Sequence, residues 1–430
     1  MKNQVQITPK FFTPAPGLWR KPENGILYTS GTDRDFSLLA AFLGLKWQKS
    51  DGCGLRAWCG CADETLTPIL TGPESFAMSV TPDGVTIAAN HEDGLSQGVK
   101  ALWRLTDDGA PVPCGRTDDE PALGFRALHL CVFPENDGTQ KEVTNPEALR
   151  KMIRLAAWHG YNRVFIEFWG VFPYARRPYA CWPGELYTRA VVNDLIDEIR
   201  LKLHMTPLPV QNLTSHAGWS RIASRKHVVL DQRPDLADMW IPGGWCFATE
   251  NPDTKAYLRD CVEELIETYH RPPIFHVSTD KCFGFGSTEA DRVHDADSLF
   301  VRHLYFLHDM LAERGARMMM WGDMLYGALD SKFWKASAAV TELLPRDILI
   351  NIWTHNDPGA CWPDVEFFQG KGFETVYSPF INESSIRNMI TICQRHNSLG
   401  LLQTTWHKPQ TAAPYAALSG KYQWEGLLGK

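Results

Sequence analysis

From residue 125 onward the chain alternates between two hydrophobic periods. Short apolar or period-two runs (RALHLCVF, RVFIEF, MTPLPVQN, PIFHVST, RMMMWGDM, ILINIW, ETVYS and LGLLQTTW) are separated by longer stretches with apolar residues every three or four positions. The longer stretches include NPEALRKMIRLAAWHG, TRAVVNDLIDEIRLK, TKAYLRDCVEELIETYH, DADSLFVRHLYFLHDMLAERG and SSIRNMITICQRHN. The first set predicts eight strands and the second predicts helices, several of which open on an Asn, Asp, Ser or Thr cap and close on Gly or Asn. Regular alternation predicts parallel strands covered by helices, and eight such units match a TIM (β/α)8 barrel, with an open doubly wound sheet as the alternative. Upstream, from Gly25 to Leu105, strand-like runs alternate with turns: SFAMSV and VTIAA are joined by Thr-Pro-Asp-Gly, a hairpin signal, and GLSQGVKALWRL has helical spacing. The expected class is therefore α/β, a small α+β domain over 1–120 followed by the barrel over 121–430. The Asp, Pro and Gly-rich TDDGAPVPCGRTDDEPALG reads as the linker between them.

Charge narrows the partners. A net charge of -7, with no run of Lys or Arg, argues against nucleic acid or an anionic membrane, and no stretch of 18 apolar residues occurs. The opening MKNQVQITPKFF lacks the apolar core of a signal peptide, and eleven cysteines, an odd number, suit a reducing compartment, so the expected location is the cytoplasm. The Cys53, Cys59 and Cys61 group lacks a second pair at metal spacing and reads as loop or core thiols; no metal or cofactor is expected. Sixteen Trp tilt the ligand toward carbohydrate, because indole faces stack on sugar rings. Self-association into a homo-oligomer is left open.

Barrel active sites lie at the carboxyl ends of the strands. The sequence places Glu167 and Trp169 after strand two, Asn212 and His216 after strand three, and Asp280 and Lys281 after strand four. Trp321 and Asp323 follow strand five; Trp353, His355 and Asp357 follow strand six; Trp406, His407 and Lys408 follow strand eight. Carboxylates and indoles at one mouth suit glycoside hydrolysis, which protonates a leaving oxygen, stabilises an oxocarbenium-like centre and stacks on a sugar ring. Taken singly, Glu167 is equally a partner for Arg176 or Arg177, and His216 equally a satisfied buried histidine.

The segment AMSVTPDGVTIAANHEDGLSQGVKALWRL resembles the accessory domain that precedes the barrel in glycoside hydrolase family 20, the β-N-acetylhexosaminidases. MIRLAAWHGYNRVFIEFWGVFPY, PLPVQNLTSHAG, FHVSTDK, MMMWGDML and LLQTTW are similar to family segments in order and spacing, so that the resemblance spans Ser75 to Trp406. It implies retaining, substrate-assisted chemistry, in which an Asp orients the substrate's acetamido group as nucleophile and the following Glu protonates the glycosidic oxygen. Asp280 matches the Asp, whereas Lys281 stands in the place of the Glu. The resemblance also implies sugar-binding roles for Arg126, His216, Trp321, Asp323, Trp353 and Trp406, with Glu167 lining or bracing the pocket. The family carries a hydroxyl-gripping carboxylate after strand eight, where this chain reads Trp406-His407-Lys408, and Lys408 joins the ligand-binding set.

A lysine begins at a pKa of about 10.4, and an adjacent carboxylate raises it, so Lys281 is a poor proton donor. Three expectations follow. Glu167 or Asp323 gives the proton while Lys281 binds an anionic substituent of the sugar; or the leaving group needs no strong acid; or the barrel is a noncatalytic sugar-binding protein. No G-x-G-x-x-G, Walker or G-x-S-x-G sequence is present.

Overall fold

The computed structural model describes every residue except 1–5, 51, 53, 60–65, 134–143, 185, 219–225, 327–335, 337, 360–361, 407–408 and 428–430. Lys408, His407, Cys53 and Cys61 thus lie outside the described residues.

The first part of the chain is a seven-stranded mixed sheet with two helices. In chain order it comprises β1 (Phe11–Trp19), β2 (Ile26–Ser30), α1 (Ser37–Phe42), β3 (Lys46–Lys49), β4 (Leu55–Cys59), β5 (Phe76–Thr81), β6 (Gly84–Ala89), α2 (Glu92–Thr106) and β7 (Val112–Asp119). The strand order is β1-β7-β5-β6-β4-β2-β3. The expected hairpin is present, with Thr81 opposite Gly84. Helix α2 has eleven buried residues of fifteen. It is hidden nearly all round because one side packs on the sheet while Arg104 reaches the Trp158 carbonyl of the barrel at 3.0 Å. Gly98 permits the close approach to the sheet, since a Cβ there would lie 2.5 Å from Ile87.

The expected linker proved to be structure. Its centre is β7, which pairs antiparallel with both β1 and β5. The two acidic residues of β7 are buried because each has donors: Asp118 accepts from Arg116 and from the Ile69 amide, and Asp119 from the Trp424 indole at 2.8 Å and the Lys10 amide. Composition mimicked a solvated connection where tertiary hydrogen bonds had satisfied the polar groups.

Residues from 125 on form a closed barrel of eight parallel strands. In chain order these are β8 (Phe125–Val132), β9 (Arg163–Phe168), β10 (Thr206–Val210), β11 (Ile274–His276), β12 (Arg317–Trp321), β13 (Leu349–Trp353), β14 (Thr375–Ser378) and β15 (Gly400–Gln403). A helix follows each strand: α3 (Pro146–Trp158), α4 (Arg189–Asp197), α5 (Pro252–Thr268), α6 (Ala296–Ala312), α7 (Val340–Leu343), α8 (Pro363–Gly370), α9 (Glu383–Arg395) and α10 (Pro409–Glu425). Side chains of Asn145, Thr188, Asn251, Asp295 and Asn382 cap α3, α4, α5, α6 and α9. The ring closes where β15 meets β8, and Gly400 is required there because a Cβ would lie 1.8 Å from the Phe125 carbonyl oxygen. Phe125, Ala127, Phe165, Leu208, Met319, Leu349, Val376 and Leu402 fill the lower barrel. Toward the carboxyl ends the interior turns polar, with His129, His276, Asn351 and Gln403 all fully buried.

Candidate active site

At the carboxyl ends of the strands a cavity of about 250 Å³ is lined by Phe133, Glu167, Trp169, Asn212, His216, Ser278, Asp280, Lys281, Trp321, Trp353, His355, Ser378, Thr404 and Trp406. Ten side chains expected at the mouth of the barrel from the strand ends, from Glu167 on β9 to Trp406 after β15, thus meet around one space.

The turn after β11 carries Asp280. Ser278, Thr279 and Lys281 all have positive φ, of 64°, 76° and 50°, a left-handed conformation costly for any residue with a Cβ and most costly for β-branched Thr. The surroundings over-determine it: the Ser278 amide donates to His276 Nδ1 at 3.0 Å, the Trp321 indole to Ser278 Oγ at 3.1 Å, Ser215 to the Asp280 carbonyl, and the Trp245 indole to the Lys281 carbonyl at 2.7 Å. Strain held in place beside a cavity aims the Asp280 side chain.

Asp280 Oδ2 lies 2.5 Å from Lys281 Nζ and 3.4 Å from His216 Nε2. Burial pushes its carboxyl up, but the Lys281 ammonium and His216 outweigh it and hold the group far below the ordinary carboxylate range. Lys281 is opposed by burial and raised by Asp280, Asp323 and Glu167, so its ammonium keeps its proton, and it sits 4.7 Å over the Trp353 ring.

Asp323 does not line the cavity. The Trp353 indole donates to its Oδ1 at 3.0 Å, and its Oδ2 lies 3.4 Å from the Lys281 amide. Burial first, then the negative charge of Asp280, push its carboxyl up to about 6 against the pull of Lys281. The two aspartates are thus driven apart, the arrangement by which one site keeps an ionised and a protonatable carboxyl together.

Glu167 lines the wall with both oxygens engaged, to His129 Nε2 at 2.9 Å and Asn212 Nδ2 at 2.7 Å. Arg176 and Arg177 instead pair with Glu263, Glu267 and Asp260 on α5. His216 touches Trp245 and Trp169, with ring centroids 4.3 and 5.5 Å away. Trp321 and Trp406 are 6.4 Å apart, and Trp406 packs on His129 at 4.4 Å.

Arg126 is a correction. It lies at the opposite, amino-terminal end of the barrel, fully buried, bonded to Glu74 at 2.6 and 2.8 Å and to the Gly160 and Leu123 carbonyls. It cannot reach a sugar in the cavity. Asp357 also stays outside, bonded to Asn388. The residues that reasoning from strand ends missed are His129, Phe133, Ser278, Ser378, Thr404 and the bracing Trp245. Among the described residues no group of three or more His, Cys, Asp or Glu could hold a metal, and no helix is long and apolar enough to cross a membrane.

No protein-family model matches the sequence, and no curated protein does. Solved structures do. The β-N-acetylhexosaminidase of Bacteroides fragilis NCTC 9343 is similar with a TM-score of 0.74 at 15% identity, over 100% of this chain and 92% of that one. The GH20 exo β-N-acetylglucosaminidase of Vibrio harveyi, solved with N-acetylglucosamine, gives 0.72 at 13% identity over 99% and 74%. The GH20 β-N-acetylhexosaminidase of Streptomyces coelicolor A3(2) gives 0.71 at 14% over 99% and 92%. Along its whole length, the chain has the fold of the glycoside hydrolase family 20 β-N-acetylhexosaminidases.

Proposed function

We propose that the protein is an exo-acting glycoside hydrolase that releases a terminal β-linked N-acetylhexosamine by substrate-assisted, retaining chemistry. The observation that carries this is the Asp280 carboxylate, held ionised in a cavity walled by Trp321, Trp353 and Trp406 and sized for one sugar ring. The shared fold with a protein solved with N-acetylglucosamine supports the choice of sugar. Asp280 accepts the acetamido N–H, so that the carbonyl oxygen is turned toward the anomeric carbon. The glycosidic C–O bond breaks as that oxygen attacks, the electron pair leaves with the aglycone oxygen, and water then opens the oxazolinium ring with retention.

The proton for the leaving oxygen comes from Asp323, the carboxyl whose pKa of about 6 suits donation near neutrality, acting through one water because Asp323 does not itself line the cavity. Lys281 serves as counter-ion to Asp280. Matched in this way, it gives no support to an anionic sugar. We also propose a cytoplasmic setting, on the odd cysteine count.

The test is the pH dependence of kcat/KM on a nitrophenyl and a methyl N-acetyl-β-glucosaminide. The protonated form of Asp323 acts, so the methyl glycoside rate should hold at low pH and fall about tenfold per unit above a pH near 6. Asp323→Asn should slow the methyl glycoside far more than the nitrophenyl one, whose phenolate leaves unaided. No turnover, with N-acetylglucosamine still raising Tm, would favour the second reading, a noncatalytic sugar-binding protein, which the tight Lys281–Asp280 pair supports.

A further inference from the structure

The cavity wall formed by β8, β9 and the segment after β10 contains a hydrogen-bonded set whose donors and acceptors can be assigned. His129 Nδ1 lies 3.5 Å from the backbone nitrogen of Thr405, which can only donate. An imidazole whose Nδ1 accepts carries its proton on Nε2 when neutral, and Nε2 lies 2.9 Å from Glu167 Oε2. The ring is fixed in plane by Trp406, and its strand by the Thr405 hydroxyl, which donates to the His129 carbonyl at 2.6 Å. The Asn212 amide donates to the other Glu167 oxygen. A carboxylate offers about four acceptor positions, so with one donor on each oxygen two positions remain, and Glu167 borders the cavity.

We propose that Glu167 reads the sugar: it accepts hydrogen bonds from two neighbouring ring hydroxyls, and His129 is the positioning residue that orients it and reserves it as an acceptor. This rests on the sugar-binding part of the reading above and needs no turnover. It assigns a substrate class within that reading. The bound ring must present two adjacent, unsubstituted hydroxyls, because a ligand lacking or capping one leaves a buried carboxylate unpaired. Glu167 is accordingly no proton donor, which is consistent with that role falling to Asp323.

The test uses the full-length protein and titration calorimetry with methyl N-acetyl-β-glucosaminide and its monodeoxy analogues. Wild type should prefer the parent sugar over two analogues deoxygenated at adjacent positions by about tenfold each, the size of one charged hydrogen bond. Glu167→Gln and His129→Phe should flatten that preference, and His129→Gln, whose amide can donate from a similar place, should restore most of it. Nitrogen-15 spectra, with the His129 signal assigned by its loss in His129→Gln, should show the imidazole proton on Nε2; this decides the matter even if His129→Phe does not fold. A proton on Nδ1, equal affinity for all analogues, discrimination that survives Glu167→Gln, or no binding of the parent sugar would each overturn the assignment. Discrimination without turnover would leave it standing and remove the hydrolase reading, whereas turnover without discrimination would do the reverse.

Discussion

At the amino-terminal end of the barrel Glu74 grips Arg126 with both oxygens; at the carboxyl end Asp280 meets Lys281 at 2.5 Å. Each pairs a buried acid with a base, yet their surroundings differ. Glu74 also receives the Gln97 amide at 2.9 Å and the Asn162 amide at 2.8 Å, and Arg126 spends its remaining donors on backbone carbonyls with its guanidinium 5.1 Å over the Trp424 ring. Burial would raise Glu74, but Arg126 and these donors hold it at about 2. This pair joins the sheet domain to the barrel and the last helix. Around Asp280 the backbone is strained at three residues, a second carboxyl is pushed in the opposite direction, and a cavity adjoins. Satisfaction on all sides marks a joint, whereas opposed shifts beside open space mark a site.

The largest expected effect tests the joint. Arg126→Met leaves Glu74 buried without its cation, and unfolding free energy in a denaturant titration should drop by about 3–5 kcal/mol. The Tm increase caused by N-acetylglucosamine should persist in the variant. Loss of sugar binding with unchanged stability would break the comparison and return Arg126 to the pocket. Asp280→Asn should do the opposite: kcat on a nitrophenyl N-acetyl-β-glucosaminide should fall on the order of 10³-fold, the scale of losing one oriented transition-state contact. Stability should stay within about 1 kcal/mol, because Lys281 is exposed enough to be solvated from the cavity.

Much of this was legible in the sequence, because periodicity is a local signal. All eight barrel strands and five of their helices were readable; α7 and α8 are too short to show a helical period, and α10 contains Pro414, which reads as a breaker. Strand phase separates site from joint once the inward face is known. In β8, Phe125, Ala127 and His129 share the inward phase while Arg126 has the other, and in β9 Phe165 and Glu167 are inward. That alternation went unused: reasoning from strand ends left His129 out, and the family resemblance put Arg126 in the pocket. What no local pattern carries is polar satisfaction across hundreds of positions: Asp119 with Trp424, or Glu74 with Arg126, looks like linker or loop acidity until the partner arrives.

The last comparison sets the two ends against each other through their lysines, and is read as a slope. Lys100 on α2 is fully buried and its ammonium has no hydrogen-bond partner among the described residues. Burial, reinforced by Arg126, Arg104 and Arg34 and opposed by Glu74, lowers its pKa to about 7, whereas carboxylates raise that of Lys281. The signs for stability are therefore opposite. Between a pH of about 7 and 10 the unfolded chain keeps a proton at position 100 that the folded chain has released, so stability rises with pH, by at most about 1.4 kcal/mol per unit. Below that window Lys100 is charged in both states and contributes no slope. Lys281, raised, is protonated in both states throughout the window, and its stabilising effect is lost only at higher pH. Subtracting the stability–pH curve of Lys100→Met from that of wild type should thus leave a positive slope confined to the window. A flat difference for Lys100 would mean that its ammonium is held charged by groups at the seam, and that the amino-terminal cluster is more acidic than Glu74 and Asp119 make it.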